Sequence, residues 1–129
     1  MTDQVIDIVM ATPDAIPDMA QSFVASWGTF DGAAVGLVAV VDGEAVGTVT
    51  LKSDDWRPRE DLSPWLGGLF VLPDHRGRGI AGRLVAALAD EARQRGVEIL
   101  YTDCHAATVL LPGWQPIENS ALFSLDLAT

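Results

Sequence analysis

In the stretch HRGRGIAGRL, residues 75–84, the arginines Arg76, Arg78 and Arg83 alternate with the glycines Gly77, Gly79 and Gly82. Arginine offers a planar fork of N–H donors that matches phosphate oxygens, and glycine lets successive backbone N–H groups turn toward an anion without a Cβ in the way. An apolar run, LGGLFVL, comes before the stretch, and an apolar pattern of helical period, IAGRLVAALADEAR, comes after it. A strand therefore runs into a helix here. The unpaired N–H groups and the dipole of that helix start would add to the attraction for a phosphorylated ligand. The chemistry of these residues is holding, not transforming.

Groups that could move a proton lie elsewhere. Asp103 and His105 follow an apolar run, VEILYTD, and the carboxylates Asp54, Asp55, Glu60 and Asp61 crowd a polar loop. The one cysteine, Cys104, rules out an internal disulfide and provides no metal cluster, so no metal site is expected and a reducing, cytoplasmic setting is the default.

The chain has 129 residues, 49% of them hydrophobic and 20% charged, which suits a single domain over residues 1–129 with a real core. The longest wholly apolar stretch, Ala33 to Val41, is too short to span a bilayer, and the acidic N-terminus does not read as a secretory leader. No membrane partner is expected. A net charge of −10 argues against a nucleic-acid binder and is compatible with a cationic substrate, although an acidic surface is also simply a soluble one. Against that background, five of the eight Lys and Arg residues fall between Arg76 and Arg95.

The elements that must position these residues follow from periodicity and turn chemistry. QVIDIVM reads as a strand, and TPDAIPDMAQSFVASW as a helix capped by Thr12 with Pro13 as its first residue and Ile16, Met19 or Ala20, Phe23 and Trp27 at helical spacing. Two β-rich runs flank Asp42-Gly43, a signal for a tight antiparallel hairpin. WLGGLFVL is a fourth strand whose Gly67-Gly68 suggests a bulge or a close backbone approach. The helical pattern runs from Gly79 to Arg95, with Gly96 as its stop, and VEILYTD returns as a strand parallel to the fourth. HAATVLL is a short helical or irregular piece, and WQPIE and ALFSLDL form a closing pair of strands.

Two patterns overlap at the opening stretch. GRGIAG has the form G-x-G-x-x-G, with Asp103 about twenty residues on, as in dinucleotide-binding units. That motif places its glycines directly after the strand, whereas PDHR intervenes here, and one strand–helix–strand unit after a hairpin does not build the parallel sheet it needs. The other pattern is R-x-x-G-x-A, from Arg76, Gly79 and Ala81. In LFVLPDHRGRGIAGRLV, with His75 at an aromatic-like position and a late Gly-aromatic pair in PGW, the sequence resembles the GNAT superfamily of acyl-CoA-dependent N-acetyltransferases, whose pattern at this site begins with Gln or Arg. The resemblance is specific from Leu69 to Arg95 and weak over the first fifty residues.

The resemblance implies an α/β (α+β) fold: a mixed, mainly antiparallel sheet of about six or seven strands, one long central helix, and a fourth strand splayed from the fifth. It implies acetyl-CoA as cofactor. The pantetheine arm would pair with the main chain of Leu69, Phe70 and Val71 in the splay, a bulge at Gly67-Gly68 aiming an amide near Val71 at the thioester oxygen. The pyrophosphate would lie on Arg76, Gly77, Arg78, Gly79, Ile80, Ala81 and Gly82. The reaction would be acetyl transfer to a primary amine of a small molecule or peptide, and many such relatives pair as homodimers. An alkyl amine is mostly protonated at neutral pH, its pKa being roughly 10, so a base must take a proton. Many relatives use a Glu on or beside the fourth strand. WLGGLFV has no carboxylate, which leaves Asp103 and His105 as catalytic candidates and the acidic loop as an alternative. The usual acid is a Tyr four residues before the Gly of the Gly-aromatic pair. That position is Val109, and Tyr101 is the chain's one tyrosine. A non-catalytic acyl-CoA binder therefore stays open beside the enzyme. Trp27, Trp56 and Trp65 are candidates for an acceptor wall.

Overall fold

The computed structural model describes residues 5–10, 33–52, 62–118 and 121–128. The helix expected over residues 12–27, and the loop carrying Asp54, Asp55, Trp56, Glu60 and Asp61, lie outside them. Along the chain come β1 (Ile6–Met10), β2 (Ala33–Val41), β3 (Glu44–Lys52), β4 (Trp65–Val71), a 3-10 turn (Pro73–His75), α1 (Ile80–Gln94), β5 (Ile99–Thr102), α2 (His105–Leu110), β6 (Gln115–Pro116) and β7 (Phe123–Asp126). The strands form one seven-stranded sheet in the order β1-β2-β3-β4-β5-β7-β6. β4 and β5 are parallel, and the other neighbouring pairs are antiparallel. The expected mixed, mainly antiparallel sheet and long helix are both present. No helix among the described residues is long and apolar enough to cross a membrane.

The hairpin between β2 and β3 turns on Asp42 (φ 52°) and Gly43 (φ 78°), the two positive φ values that a two-residue turn of this hand requires. Its register pairs Val41 with Glu44, and β3 is buried from Ala45 to Leu51.

α1 follows from a stripe repeated every four residues. Ile80, Leu84, Leu88 and Ala92 are buried, with Val85 and Ala89 beside them. Each of the large ones removes a side chain from water at a gain of about 1.5–3 kcal/mol. The polar face carries ion pairs within the helix, Arg93 to Asp90 at 2.7 Å and Arg95 to Glu91 at 3.0 Å. At the C-terminus, Gly96 (φ 82°) donates to the Arg93 carbonyl and Val97 to that of Ala92, which closes the helix as the glycine signal foretells.

One close approach fixes where α1 begins on the sheet. A Cβ added to Gly47 of β3 would stand 3.0 Å from Leu84 Cδ1 and 3.3 Å from both Ile80 Cγ2 and the Phe70 carbonyl oxygen. The missing side chain lets the first turns of α1 lie directly on β3 and β4, at the end of the sheet where β4 leaves it.

Candidate functional site

β4 and β5 pair at two positions, Trp65 with Tyr101 and Leu66 with Thr102. The Tyr101 N–H donates to the Pro64 carbonyl at 3.0 Å, and the Thr102 hydroxyl to that of Leu66 at 3.0 Å. Beyond Leu66 the ladder stops. Among the described residues β4 continues to Val71 against β3 alone, so a gap opens between the C-terminal ends of two parallel strands.

A bulge sets what faces that gap. Thr50 pairs with Gly67 and Thr48 with Phe70, so β4 carries one residue more than β3 across this interval. Gly68 takes φ 61°, and a Cβ on it would stand 3.0 Å from the Thr50 hydroxyl oxygen, so both the bend and the close approach call for glycine. The displaced carbonyls are satisfied from β3: the Thr48 hydroxyl donates to Gly68 O at 2.8 Å and that of Thr50 to Gly67 O at 3.0 Å. The extra residue reverses the alternation along β4. Before it, the carbonyls of Pro64 and Leu66 turn toward β5. After it, Leu72 donates to Val46 of β3 at 2.8 Å, which leaves the polar groups of Leu69 and Val71 turned to the gap.

The strand then runs into the arginine–glycine turn. Pro73–His75 form the 3-10 turn, Gly77 (φ 81°) and Gly79 (φ 79°) are left-handed, and Gly79 is the N-cap of α1. Among the described residues an added Cβ at either glycine would meet no atom within 4 Å, so backbone conformation and not crowding demands them, and the space above them is open. The first backbone bond of the helix is donated by Arg83 to Gly79 at 3.1 Å. The N–H groups of Ile80, Ala81 and Gly82 precede it and lack an acceptor one turn back. Among the positions expected to hold a cofactor, Val71, Arg76, Gly77, Gly79, Ile80, Ala81 and Gly82 meet around one open cleft of about 220 Å³, to which His75 and Leu110 of α2 also contribute. Leu69 and Phe70 stand on the adjoining strand, and Arg78 is exposed outside the cleft wall. Left-handed glycines, helix-start amides and open space above them suit a diphosphate.

Arg76 is engaged from behind. Its Nε donates to the Val71 carbonyl at 2.9 Å, and its guanidinium carbon lies 5.6 Å from the centre of the Phe70 ring.

The proton-transfer candidates lie on the other side of the gap. Asp103 directly follows Thr102, the last residue of β5 paired to β4, and is exposed at the point of divergence. His105 opens α2 with its ring 6.3 Å from that of Phe123 on β7, the neighbour of β5 away from the gap. Asp103 does not cap α2, whose N-cap is Cys104 without a side-chain bond. Instead the Cys104 N–H donates to the Thr102 hydroxyl at 3.0 Å. Tyr101 packs beside Trp65, with ring centroids 5.6 Å apart and planes tilted by 43°, in the paired part of the ladder, before the divergence. Trp65 is buried, with its indole N–H donating to the Leu62 carbonyl at 2.6 Å, so it is a core residue at the closed end. Val109 is 73% exposed on α2, next to the cleft residue Leu110.

Sequence reasoning missed Thr48, Thr50 and Gly47. The two threonines look like ordinary strand residues, and their partners are far along the chain. Alternate hydroxyls opposite a Gly-Gly pair were the available signal. The dinucleotide fingerprint fails in the structure. The sheet has one parallel pair where that unit needs several, and a Cβ on its third glycine, Gly82, would rest 3.9 Å from Leu110 Cδ2, an ordinary contact, so packing does not demand glycine there.

Residues 3–109 match the acetyltransferase (GNAT) family. No curated protein matches the chain. Solved structures of similar fold include a GNAT family N-acetyltransferase, YhbS, from Escherichia coli in complex with CoA (19% identity over 99% of this chain and 84% of that one, TM-score 0.73). A GNAT family acetyltransferase from Brucella melitensis in complex with acetyl-CoA is 17% identical over 97% of this chain and 90% of that one, with a TM-score of 0.68. A ribosomal-protein-alanine N-acetyltransferase from Brucella melitensis biovar Abortus 2308 reaches 30% identity over 76% of this chain and 78% of that one, with a TM-score of 0.55.

Proposed function

The chain belongs to the GNAT acetyltransferase family, and on that premise we propose that it transfers the acetyl group of acetyl-CoA to a primary amine of a small molecule or peptide by direct attack on the thioester. The observation that carries the reading is the interrupted β4–β5 ladder: two paired positions, then a bulge-turned strand edge that ends in a glycine turn at a helix start. An extended amide-bearing arm with a diphosphate at one end fits that sequence of features.

In this reading the main chain of Leu69, Phe70 and Val71 holds the arm as an added strand. The turn from Gly77 through Arg78, Gly79, Ile80, Ala81 and Gly82 holds the diphosphate, and Arg76 joins the two parts. Bound acetyl-CoA supplies the activated acyl group. A gap-facing N–H of β4, from Leu69 or Val71, lies where charge on the thioester oxygen would be stabilised. Asp103, exposed at the divergence, takes the proton of the incoming amine directly or through water, with His105 as the second candidate. Water protonates the departing thiolate, since Val109 stands at the position of the usual tyrosine and Tyr101 packs beside Trp65 in the paired ladder.

Residues 1–129 form one domain in this proposal, in a reducing, cytoplasmic setting in keeping with the free thiol of Cys104. The name of the Brucella ribosomal-protein-alanine N-acetyltransferase keeps a protein N-terminus among the acceptors, beside small amines. The experiment is thiol release from acetyl-CoA over a panel of primary amines and N-terminal peptides, with thermal shift by acetyl-CoA and by NAD in parallel. Stabilisation by acetyl-CoA with amine-dependent thiol release is expected, and stabilisation by NAD alone would overturn the reading. The missing tyrosine favours one second reading, a domain that binds acyl-CoA without turning it over. That reading predicts the same thermal shift and no release with any amine.

A further inference from the structure

The Arg76 guanidinium stands by position at the start of the glycine turn, yet one of its five N–H donors, Nε–H, is directed to the strand behind it. Nε bonds the Val71 carbonyl at 2.9 Å, and the guanidinium lies over Phe70 at 5.6 Å. Both partners belong to the last two residues of β4. The carbonyl concerned is on the gap side, because Leu72 next to it is committed to Val46 of β3. Arg76 thus occupies the final acceptor of the open strand edge, one residue before the first left-handed glycine of the turn.

We propose that Arg76 is a positioning residue and not a phosphate ligand: by holding the Val71 carbonyl and the Phe70 ring it fixes the end of the open β4 edge relative to the glycine turn, and so sets the spacing between the arm-binding and the phosphate-binding parts of the cleft. This rests on the coenzyme A reading above. A side chain that acts through Nε has a specific chemical equivalent. The amide nitrogen of glutamine lies the same number of bonds from Cα as Nε of arginine, and it is a donor without charge. Methionine matches the length of the stem and donates nothing.

The test measures affinity by calorimetry or ligand-observed NMR for two probes: coenzyme A, and 3′-phosphoadenosine 5′-diphosphate, which is coenzyme A without its arm. For Arg76→Met, the expected result is about tenfold weaker binding of coenzyme A, the scale of one lost charge-assisted hydrogen bond, with binding of the arm-less nucleotide unchanged within about twofold. Arg76→Gln should restore coenzyme A binding. Equal losses on both probes with no restoration by Gln would make Arg76 a phosphate ligand and overturn the proposal, as would full affinity in Arg76→Met. A thermal melt of each variant separates these outcomes from unfolding. Should Arg76→Met not fold, the wild-type protein decides: an Arg76 Nε–H that stays protected from exchange, with no phosphorus coupling at Nε or at the Nη–H groups when the arm-less nucleotide binds, supports the proposal, and a phosphorus coupling at any of them refutes it. Failure of the wild type to bind coenzyme A would instead remove the functional reading on which the proposal stands.

Discussion

At the scale of single residues, the site divides into positions required by backbone and positions required by charge. Gly79 is of the first kind. Its φ of 79° is costly for a residue with Cβ, by about 1 kcal/mol, but no atom of the described residues lies within 4 Å of where a Cβ would go. Gly79→Asp should therefore fold with a modest loss of stability and bind acetyl-CoA more than about tenfold more weakly, since a carboxylate would face the diphosphate. Unchanged affinity by calorimetry would move the phosphates elsewhere. The two hydroxyl and carboxyl candidates separate in the same way. Tyr101 is held against Trp65, so Tyr101→Phe should leave the turnover number close to wild type. Asp103→Asn should lower it by about 10²–10⁴-fold, the usual cost of one acid–base group, with acetyl-CoA affinity retained and the surviving rate climbing with pH toward the pKa of the amine, about 10. Steady-state kinetics with the best amine decide between them. The reverse pattern would make Tyr101 the acid and relieve Asp103 of its role.

At the scale of elements, the bulge and the helix start make opposite demands on substitution. Thr50→Val keeps the shape of a buried strand residue and removes the donor to the Gly67 carbonyl. A loss of about 1–2 kcal/mol in chemical denaturation is expected, with the KM for acetyl-CoA rising more than that for the amine, because the bulge shapes the edge proposed to hold the arm. Gly82→Ala should go the other way. Gly82 is within α1, its Cβ would find ordinary room beside Leu110, and helix propensity favours alanine by about 0.8–1.0 kcal/mol. Destabilisation there would mean that the helix packs more tightly than a 3.9 Å contact implies. Much of this element-level structure was legible in the sequence. Asp42-Gly43 marked the hairpin because few residues accept two positive φ values, and the four-residue stripe marked α1 to within a residue of each end. Gly67-Gly68 announced the bulge. The ends of β5 were not legible: the apolar run starts at Val97, but the Val97 N–H is used to close α1, and pairing begins at Ile99. Gly47, Thr48 and Thr50 act only through neighbours brought from far along the chain, and a local pattern carries no trace of such contacts. The direction of the Arg76 side chain was hidden for a simpler reason, since composition shows that a donor is present and not where it points.

For the molecule as a whole, the two rungs between β4 and β5 are the main-chain link between one half of the sheet, β1 to β4, and the other, β5, β7 and β6. α1 spans the first half, while the second is held by short strands of two to four residues. A sheet joined by so short a seam divides into units that can open separately, with backbone amides exchanging from each at its own rate. Amides of β5 and β7 should accordingly exchange with solvent deuterium well before those of β2 and β3. Equal rates in the absence of ligand would show that side-chain packing alone makes the two halves one unit. An arm lying along the open edge of β4 would supply the missing rungs, so ligand should slow the β5 amides most and draw the two units toward a single unfolding event. At a hundredfold excess over Kd that linkage amounts to about 2.7 kcal/mol. On the proposed reading, the break that receives the arm also makes the intact sheet a property of the complex more than of the chain by itself.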